Sequence, residues 1–295
     1  MTKWNIPSQK GKIIIVTGAN SGIGFETAKM LAYQGAEVIM AVRNLCQGKL
    51  ACEQITKIYG PLKLGIMELD LSDLNSVRKF SEEFHAKYSR LDVLINNAGV
   101  MWPKERMVTK QGFELQIGVN HMGHFALTGL LLDLIRKTPG SRVVTQSSFA
   151  HKYFADIHFD DIQWEKQYNR FGSYAQSKLA NILFTYELDR RFKQNGISAI
   201  AAAAHPGYSA TNLFRHAGFI VKKLGPVIAL KPETGALPIL RAATDESLKG
   251  GEYFGFRFKK PFQVKSSRKS YNKVVAGKLW SVSEELTKVI YNFKR

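Results

Sequence analysis

The chain has 295 residues, 45% of them hydrophobic, enough to bury one substantial core in a single α/β domain. No apolar run approaches the ~20 residues a membrane-spanning helix needs, residues 1–12 carry no signal-peptide pattern, and Cys46 and Cys52 have neither the number for a disulfide framework nor the spacing for zinc. A cytoplasmic protein with free thiols is expected. The formal net charge is +18, and residues 256–295 hold eleven Lys or Arg against Glu284 and Glu285, so half of the excess sits in this basic C-terminal segment. A solvated basic face explains that charge most simply; weak contact with an anionic membrane surface is the next reading, and no specific nucleic acid is expected.

Short β-branched runs alternate with stretches of helical period, the pattern of βαβ units and a parallel sheet. Strands are predicted over 12–17, 37–42, 63–69, 91–95, 141–146, 198–204 and 252–256, and helices over 22–34, 45–59, 73–88, 111–137, 173–195, 233–245 and 278–293. These make one doubly wound, seven-stranded parallel sheet with helices on both faces and a ligand crevice at the carboxyl ends of the strands. Two long connections, 149–172 and 208–232, follow strands at that face and are candidates for substrate walls and a lid; residues 219–230, with Lys222 and Lys223 among apolar residues, fit a lid or a membrane-dipping segment.

The first strand runs into Thr17-Gly18-Ala19-Asn20-Ser21-Gly22-Ile23-Gly24 and then an amphipathic helix. Such a turn suits a dinucleotide: Gly18 permits the tight turn, Gly22 lets the backbone approach a pyrophosphate, Gly24 allows close packing, and the helix N-terminus faces the phosphates. At the end of the second strand, where an NAD enzyme places a carboxylate for the ribose 2′-hydroxyl, stand Arg43 and Asn44. A guanidinium there favours the 2′-phosphate of NADP(H), against the plainer reading of an Arg that reaches to solvent. Asp70 and Leu71 end the third strand, and Asn97-Ala98-Gly99 ends the fourth, beside the crevice.

Proton chemistry needs a donor beside such a cofactor. Tyr174 and Lys178 are four apart and share a helix face, where an ammonium favours the phenolate; Ser148, ending the fifth strand, can hold a substrate oxygen, and Asn120 can support a proton-carrying water. Alone, Tyr-x-x-x-Lys is a common surface pair. Trp102, Phe149, Tyr153, Phe154, Phe171, Tyr208 and Phe214 are aromatic and lie on irregular segments, so they either line a lipophilic pocket or merely pin loops; His121, His124 and His205 lack carboxylate or cysteine partners at metal spacing and read as structural.

Taken in order, Thr17 to Gly24, Asn96 to Gly99, Asn120, Ser147-Ser148, Tyr174 to Lys178 and His205-Pro206-Gly207 resemble the classical short-chain dehydrogenase/reductase family over about residues 10 to 293. Tyr174 to Asn181 running into Ile182-Leu183-Phe184, the long stretch between Ser148 and Tyr174, and the terminal Lys278-Leu279-Trp280-Ser281-Val282-Ser283 run are most like the retinol dehydrogenase branch. The resemblance implies a Rossmann-type domain in which Tyr174 is the acid/base, Lys178 binds ribose and tunes Tyr174, Ser148 orients substrate and Asn120 completes a tetrad, with Pro206 and Gly207 beside the cofactor. It implies hydride transfer between NADP(H) and a lipophilic aldehyde or ketone and the matching alcohol, and a homodimer through the helices holding Asn120 and Tyr174. Reduction of a C=C bond, as in the protochlorophyllide reductases, and a non-catalytic NADPH-binding regulator are the alternatives.

Overall fold

The computed structural model describes residues 5–207, 230–257 and 260–294. Its strands are β1 (Ile13–Thr17), β2 (Glu37–Val42), β3 (Leu64–Glu68), β4 (Val93–Asn96), β5 (Arg142–Gln146), β6 (Ile200–Ala204), β7 (Tyr253–Arg257) and β8 (Lys260–Gln263), in one sheet of order β3-β2-β1-β4-β5-β6-β7-β8. β1 to β7 are parallel, and β8 turns back antiparallel on β7, so the expected seven-stranded parallel sheet gains an eighth strand. Lys-Pro-Phe-Gln carries little strand signal because it buries only Pro261, and proline is tolerated there because β8 is an edge. Strand order reverses between β1 and β4, which opens a crevice at their carboxyl ends.

The helices are α1 (Gly22–Tyr33), α2 (Leu45–Tyr59), α3 (Leu74–Lys87), α4 (Leu115–Ile117), α5 (Gly123–Leu130), α6 (Leu132–Lys137), α7 (Arg170–Gln194), α8 (Pro232–Gly235), α9 (Leu237–Thr244) and α10 (Lys273–Thr287). Where one helix is predicted over 111–137, the chain first makes a bridge between Val108 and Glu114, starts at Leu115, and opens into a π-helical turn over Gly118–Met122. The segment predicted at 233–245 divides at Ala236 because Pro238 lacks the N–H a continuous helix requires. α7 begins three residues early because Asn169 Oδ1 accepts the N–H groups of Phe171 and Gly172, both at 3.0 Å.

The basic C-terminal segment is part of the core. α10 starts at an Asn272 cap and ends where Lys288 turns left-handed (φ 56°), after which Val289, Tyr291 and Phe293 point inward from an extended chain. Trp280 packs edge-on against Phe125 of α5 at 5.1 Å and stacks on Phe184 of α7 at 5.8 Å, and Tyr291 Oη donates to the Phe125 carbonyl at 2.6 Å. The chain's own end therefore covers faces of the two helices from which a dimer contact was expected. From Lys260 on, the described Lys and Arg residues of the segment are exposed, with Lys278 over Phe159 at 4.3 Å, and the Arg191 guanidinium of α7 lies over the Trp280 ring at 4.2 Å.

Trp102, Phe154 and Trp164 also have positive φ, between 52° and 56°, a backbone state that costs about 1–3 kcal/mol each for bulky residues. No helix among the described residues is long and apolar enough to cross a membrane.

Truncating Trp280, 2% exposed, tests whether the segment is core. Trp280→Ala should lower the unfolding free energy by about 3–5 kcal/mol in a urea titration; a loss below ~1 kcal/mol would mean the segment only coats the surface.

Candidate functional site

The crevice is built from the β1 turn outward. Gly18 sits at φ 66°, and a Cβ on Gly24 would collide with the Gly18 carbonyl oxygen and the Asn97 amide, so turn and helix meet only without side chains there. Asn20 and Ser21 are partly exposed and Ile23 is buried beneath them. Ser21 caps α1 without a side-chain hydrogen bond, and the first turn holds no acidic residue, so the helix opens with free N–H groups and a positive dipole end. This turn has the shape and polarity a pyrophosphate requires.

Thr17 ties the turn to β4. Its Oγ1 accepts the N–H groups of Asn97 and Ala98, both at 2.9 Å, and Asn97 Nδ2 donates to the Thr17 carbonyl at 2.7 Å. At the end of β2, Arg43 is exposed and has no ion pair among the described residues. Asn44, expected beside the cofactor, is engaged as the α2 cap, its Oδ1 accepting Gln47 N–H at 3.0 Å. Asp70 Oδ1 accepts the Ser72 N–H and hydroxyl at 2.9 and 2.6 Å, and Leu71 is buried under Gly123.

Tyr174, Ser148, Lys178 and Asn120 come together at the carboxyl ends of β4 and β5. Tyr174 is 4% exposed, and the Ser148 side chain is close enough to act on its phenol. Ser147 faces the other way, donating to the Lys178 carbonyl at 2.8 Å, so Ser148 is the serine that meets the phenol. Lys178 Nζ stands 5.7 Å from the Tyr174 ring centre and donates to the Gln146 carbonyl at 3.4 Å. A Cβ placed on Gly99 would lie 3.0 Å from Asn120 Oδ1 and 3.5 Å from Lys178 Nζ, so both side chains converge on a hollow that only glycine leaves open. Asn120 acts as a bracket: Oδ1 accepts Val100 N–H at 2.8 Å, and Nδ2 donates to the Val100 carbonyl and the Ser177 hydroxyl.

Burial dominates the electrostatics. It pushes the Tyr174 phenol up to about 12, opposed by the Ser148 side chain, and pushes the Lys178 ammonium down to about 8. The expectation that Lys178 would draw the phenol toward neutral pH is not met in this structure, because desolvation outweighs a cation placed over the ring face.

Two histidines complete the site. His124 Nδ1 lies 3.1 Å from the Asn120 carbonyl and Nε2 2.9 Å from Thr17 Oγ1; the carbonyl can only accept, which assigns the proton to Nδ1 and makes Nε2 the acceptor. His151 Nδ1 lies 2.5 Å from the Ser148 carbonyl, while its Nε2 accepts Ser267 N–H at 3.1 Å. Sequence reading missed His151 altogether, because its partner lies 116 residues away. His121 bonds the Ser283 hydroxyl in the core, and His205 packs edge-on against Phe149 at 4.3 Å. Gly207 N–H donates to His205 Nδ1 at 3.1 Å, which closes the turn after Pro206.

Of the expected wall aromatics, Trp102 meets Phe171 at 4.8 Å and Tyr174 at 6.2 Å, both edge-on. Phe149 is half exposed. Tyr153 and Phe154 face solvent and wall nothing. Tyr208, Phe214 and the segment 219–229 lie outside the described residues.

A sheet that reverses at β1/β4, with a glycine turn at the reversal and a buried tyrosine–lysine pair beside it, defines a dinucleotide-dependent α/β oxidoreductase. The chain belongs to the short chain dehydrogenase family, whose sequence profile matches residues 12–218, and to its retinol dehydrogenase branch. It is 43% identical to human retinol dehydrogenase 11 over 279 residues, 94% of this chain and 86% of that protein, and 40% identical to human retinol dehydrogenase 13, with 94% and 84% covered. An uncharacterized protein from Mycobacterium paratuberculosis has a crystal structure that matches with a TM-score of 0.83 at 41% identity, covering 99% of this chain and 100% of that one. A short chain dehydrogenase from Shigella flexneri complexed with NADP shares the fold, with a TM-score of 0.68 at 24% identity over 84% and 98% of the two chains. The family uses NAD(P).

Lys178 gives a pH-dependent test. Its folded-state pKa of about 8 lies below the ordinary 10.5, so carrying the charge opposes folding fully below about 8 and progressively less up to 10.5. Lys178→Met should therefore raise the unfolding free energy near pH 7 by ~1–3 kcal/mol, a gain that shrinks in urea titrations toward pH 10. A destabilised variant at pH 7 would show that the ammonium is well paired in the fold.

Proposed function

We propose that this protein is a cytoplasmic NADP(H)-dependent reductase of lipophilic aldehydes or ketones, retinol dehydrogenase-like, working in reverse as an alcohol dehydrogenase, with Asn120, Ser148, Tyr174 and Lys178 as its catalytic residues. The observation that carries it is a buried Tyr174 whose phenol is influenced by the Ser148 side chain, beside the hollow where Lys178 and Asn120 converge.

Gly18, Asn20, Ser21, Gly22, Ile23 and Gly24 would hold the pyrophosphate, and Arg43, exposed at the end of β2, would meet a 2′-phosphate. Asn97, Ala98 and Gly99, with Pro206 and Gly207, would flank the nicotinamide half, and Asp70 and Leu71 the adenine half. Asn44 contributes through its backbone, since its side chain caps α2.

A bound reduced nicotinamide supplies the hydride. The chain's own residues then handle the oxygen. Ser148 holds the carbonyl oxygen next to Tyr174, whose phenol, kept protonated by burial, gives its proton to that oxygen as negative charge develops. A phenol near 12 is protonated at neutral pH, the form from which carbonyl reduction starts. Lys178 steadies the resulting phenolate while it remains charged, and Asn120 fixes the Val100 backbone and Ser177 behind it. Trp102, Phe171 and Phe149 supply an apolar wall suited to a lipophilic substrate. The names of the relatives, retinol dehydrogenases, agree with such a substrate.

Titrating NADPH and NADH against nicotinamide fluorescence tests the cofactor. Arg43→Ala should weaken NADPH by about 1.5–3 kcal/mol and leave NADH unchanged; equal binding of both cofactors to the parent protein would overturn the Arg43 assignment. Tyr174→Phe should abolish carbonyl reduction and still bind NADPH, and an undiminished rate would remove Tyr174 from the mechanism. The reduction rate should fall as pH rises through about 8, where Lys178 loses its charge.

A further inference from the structure

Six residues beyond Ser148 the chain makes a turn with a strained backbone. Phe154 holds φ 55°, yet it is 96% exposed, and Tyr153 beside it is 62% exposed. Strain at Trp102 comes with packing against Phe171 and Tyr174; at Phe154 it comes with an aromatic ring held out in water.

The surroundings of the two rings are cationic. Lys152 precedes them, exposed, over the Phe149 ring at 5.6 Å. The C-terminal segment brings Lys269 to the same place, with exposed Arg268 next to it in the chain: Ser267 N–H bonds His151, and Lys269 Nζ donates to the Ala155 carbonyl at 3.1 Å and pairs with Asp156 at 2.8 Å. Asp156 is thus balanced by Lys269, while Lys152 and Arg268 have no ion pair among the described residues.

We propose that Tyr153 and Phe154, flanked by Lys152, Arg268 and Lys269, form a docking tip for an anionic lipid bilayer at the rim of the candidate site. Two rings on one turn are far too small for a stable protein–protein interface, which buries over ~1,000 Å². A bilayer has no such requirement: aromatic rings settle at its headgroup level, and nearby Lys and Arg are drawn by anionic lipid. The chain's net charge of +18 adds a long-range pull in the same direction. Docking through this turn would set the carboxyl end of β5 against the phase in which a lipophilic substrate dissolves. The benefit to turnover rests on the proposed function; the binding itself does not.

The test is co-sedimentation of the full chain with phosphatidylcholine vesicles, with and without phosphatidylserine, at rising salt. The parent protein should bind the phosphatidylserine vesicles and be released by salt, and Tyr153→Ser/Phe154→Ser should lose about tenfold or more of that affinity, with unchanged circular dichroism and unchanged reduction of a water-soluble carbonyl. Phe154→Gly should lose vesicle binding while its Tm rises, because glycine relieves the positive φ. Vesicle binding that is absent in the parent, or equal in the double variant, overturns the proposal. So does a fall in Tm for Phe154→Gly, which would make the ring a structural prop, or an oligonucleotide affinity that depends on the two rings when vesicle binding does not. An enzyme inactive on every carbonyl yet bound to vesicles through these rings would sink the proposed function and leave the docking tip standing.

Discussion

The hydroxyl of Thr17 is the point on which the site depends. It sits where β1 ends, and it accepts two backbone N–H groups from the β4 loop, so its single proton must point elsewhere. His124 Nε2 at 2.9 Å is the nearer acceptor, with the Ile95 carbonyl at 3.3 Å behind it. The imidazole then donates through Nδ1 to the Asn120 carbonyl. One directed chain of donors thus runs from the loop that flanks the crevice, through the first strand, to the π-helical turn that carries Asn120. Burial holds His124 neutral, with a pKa near 4, so Nε2 stays an acceptor at physiological pH.

A second brace comes from the far end of the chain. His151 joins the Ser148 carbonyl to Ser267, and the same segment is fixed again where the Ser266 hydroxyl meets Tyr186 at 2.8 Å. Beyond it, α10 and the last extended residues fill the faces of α5 and α7 with Trp280, Tyr291 and Phe293. The segment that composition marks as a basic appendage therefore does two mechanical jobs, backing the helix that carries Tyr174 and Lys178 and holding the loop that carries Ser148. Its cations are what a core element must leave at the surface.

Much of this was legible in advance, and the limits have physical causes. β-branched strands and the glycine turn declare themselves locally, which is why β1 to β7 and the start of α1 fall where the pattern puts them. Strand ends and helix spacing made Asn120, Ser148, Tyr174 and Lys178 candidates, and the family resemblance gave them weight, since Tyr-x-x-x-Lys by itself is commonplace. What stayed hidden depends on contacts between distant residues. The π turn at Asn120 requires His124 to reach Thr17, the brace on Ser148 requires Ser267, and the end of α10 at Lys288 reflects Tyr291 finding the Phe125 carbonyl. Burial also reversed the expected sign for Tyr174, because spacing gives the distance between charges and not the solvent they lose.

That reversal bears on how the proposed chemistry works. A phenol near 12 beside an ammonium near 8 is an arrangement in which the proton stays on tyrosine and the lysine is close to giving its own away. Carbonyl reduction starts from the protonated phenol, which burial favours, and alcohol oxidation starts from the phenolate; in both directions the phenolate carries the desolvation cost, which the neighbouring ammonium offsets. The lysine faces a related conflict, since among the described residues its ammonium, with three donors to place, meets the Gln146 carbonyl at 3.4 Å. A buried cation so thinly satisfied destabilises the fold, and it becomes useful when negative charge arises beside it, as on Tyr174 after proton transfer. The same buried ammonium that weakens the resting protein thus favours the site once it carries a phenolate.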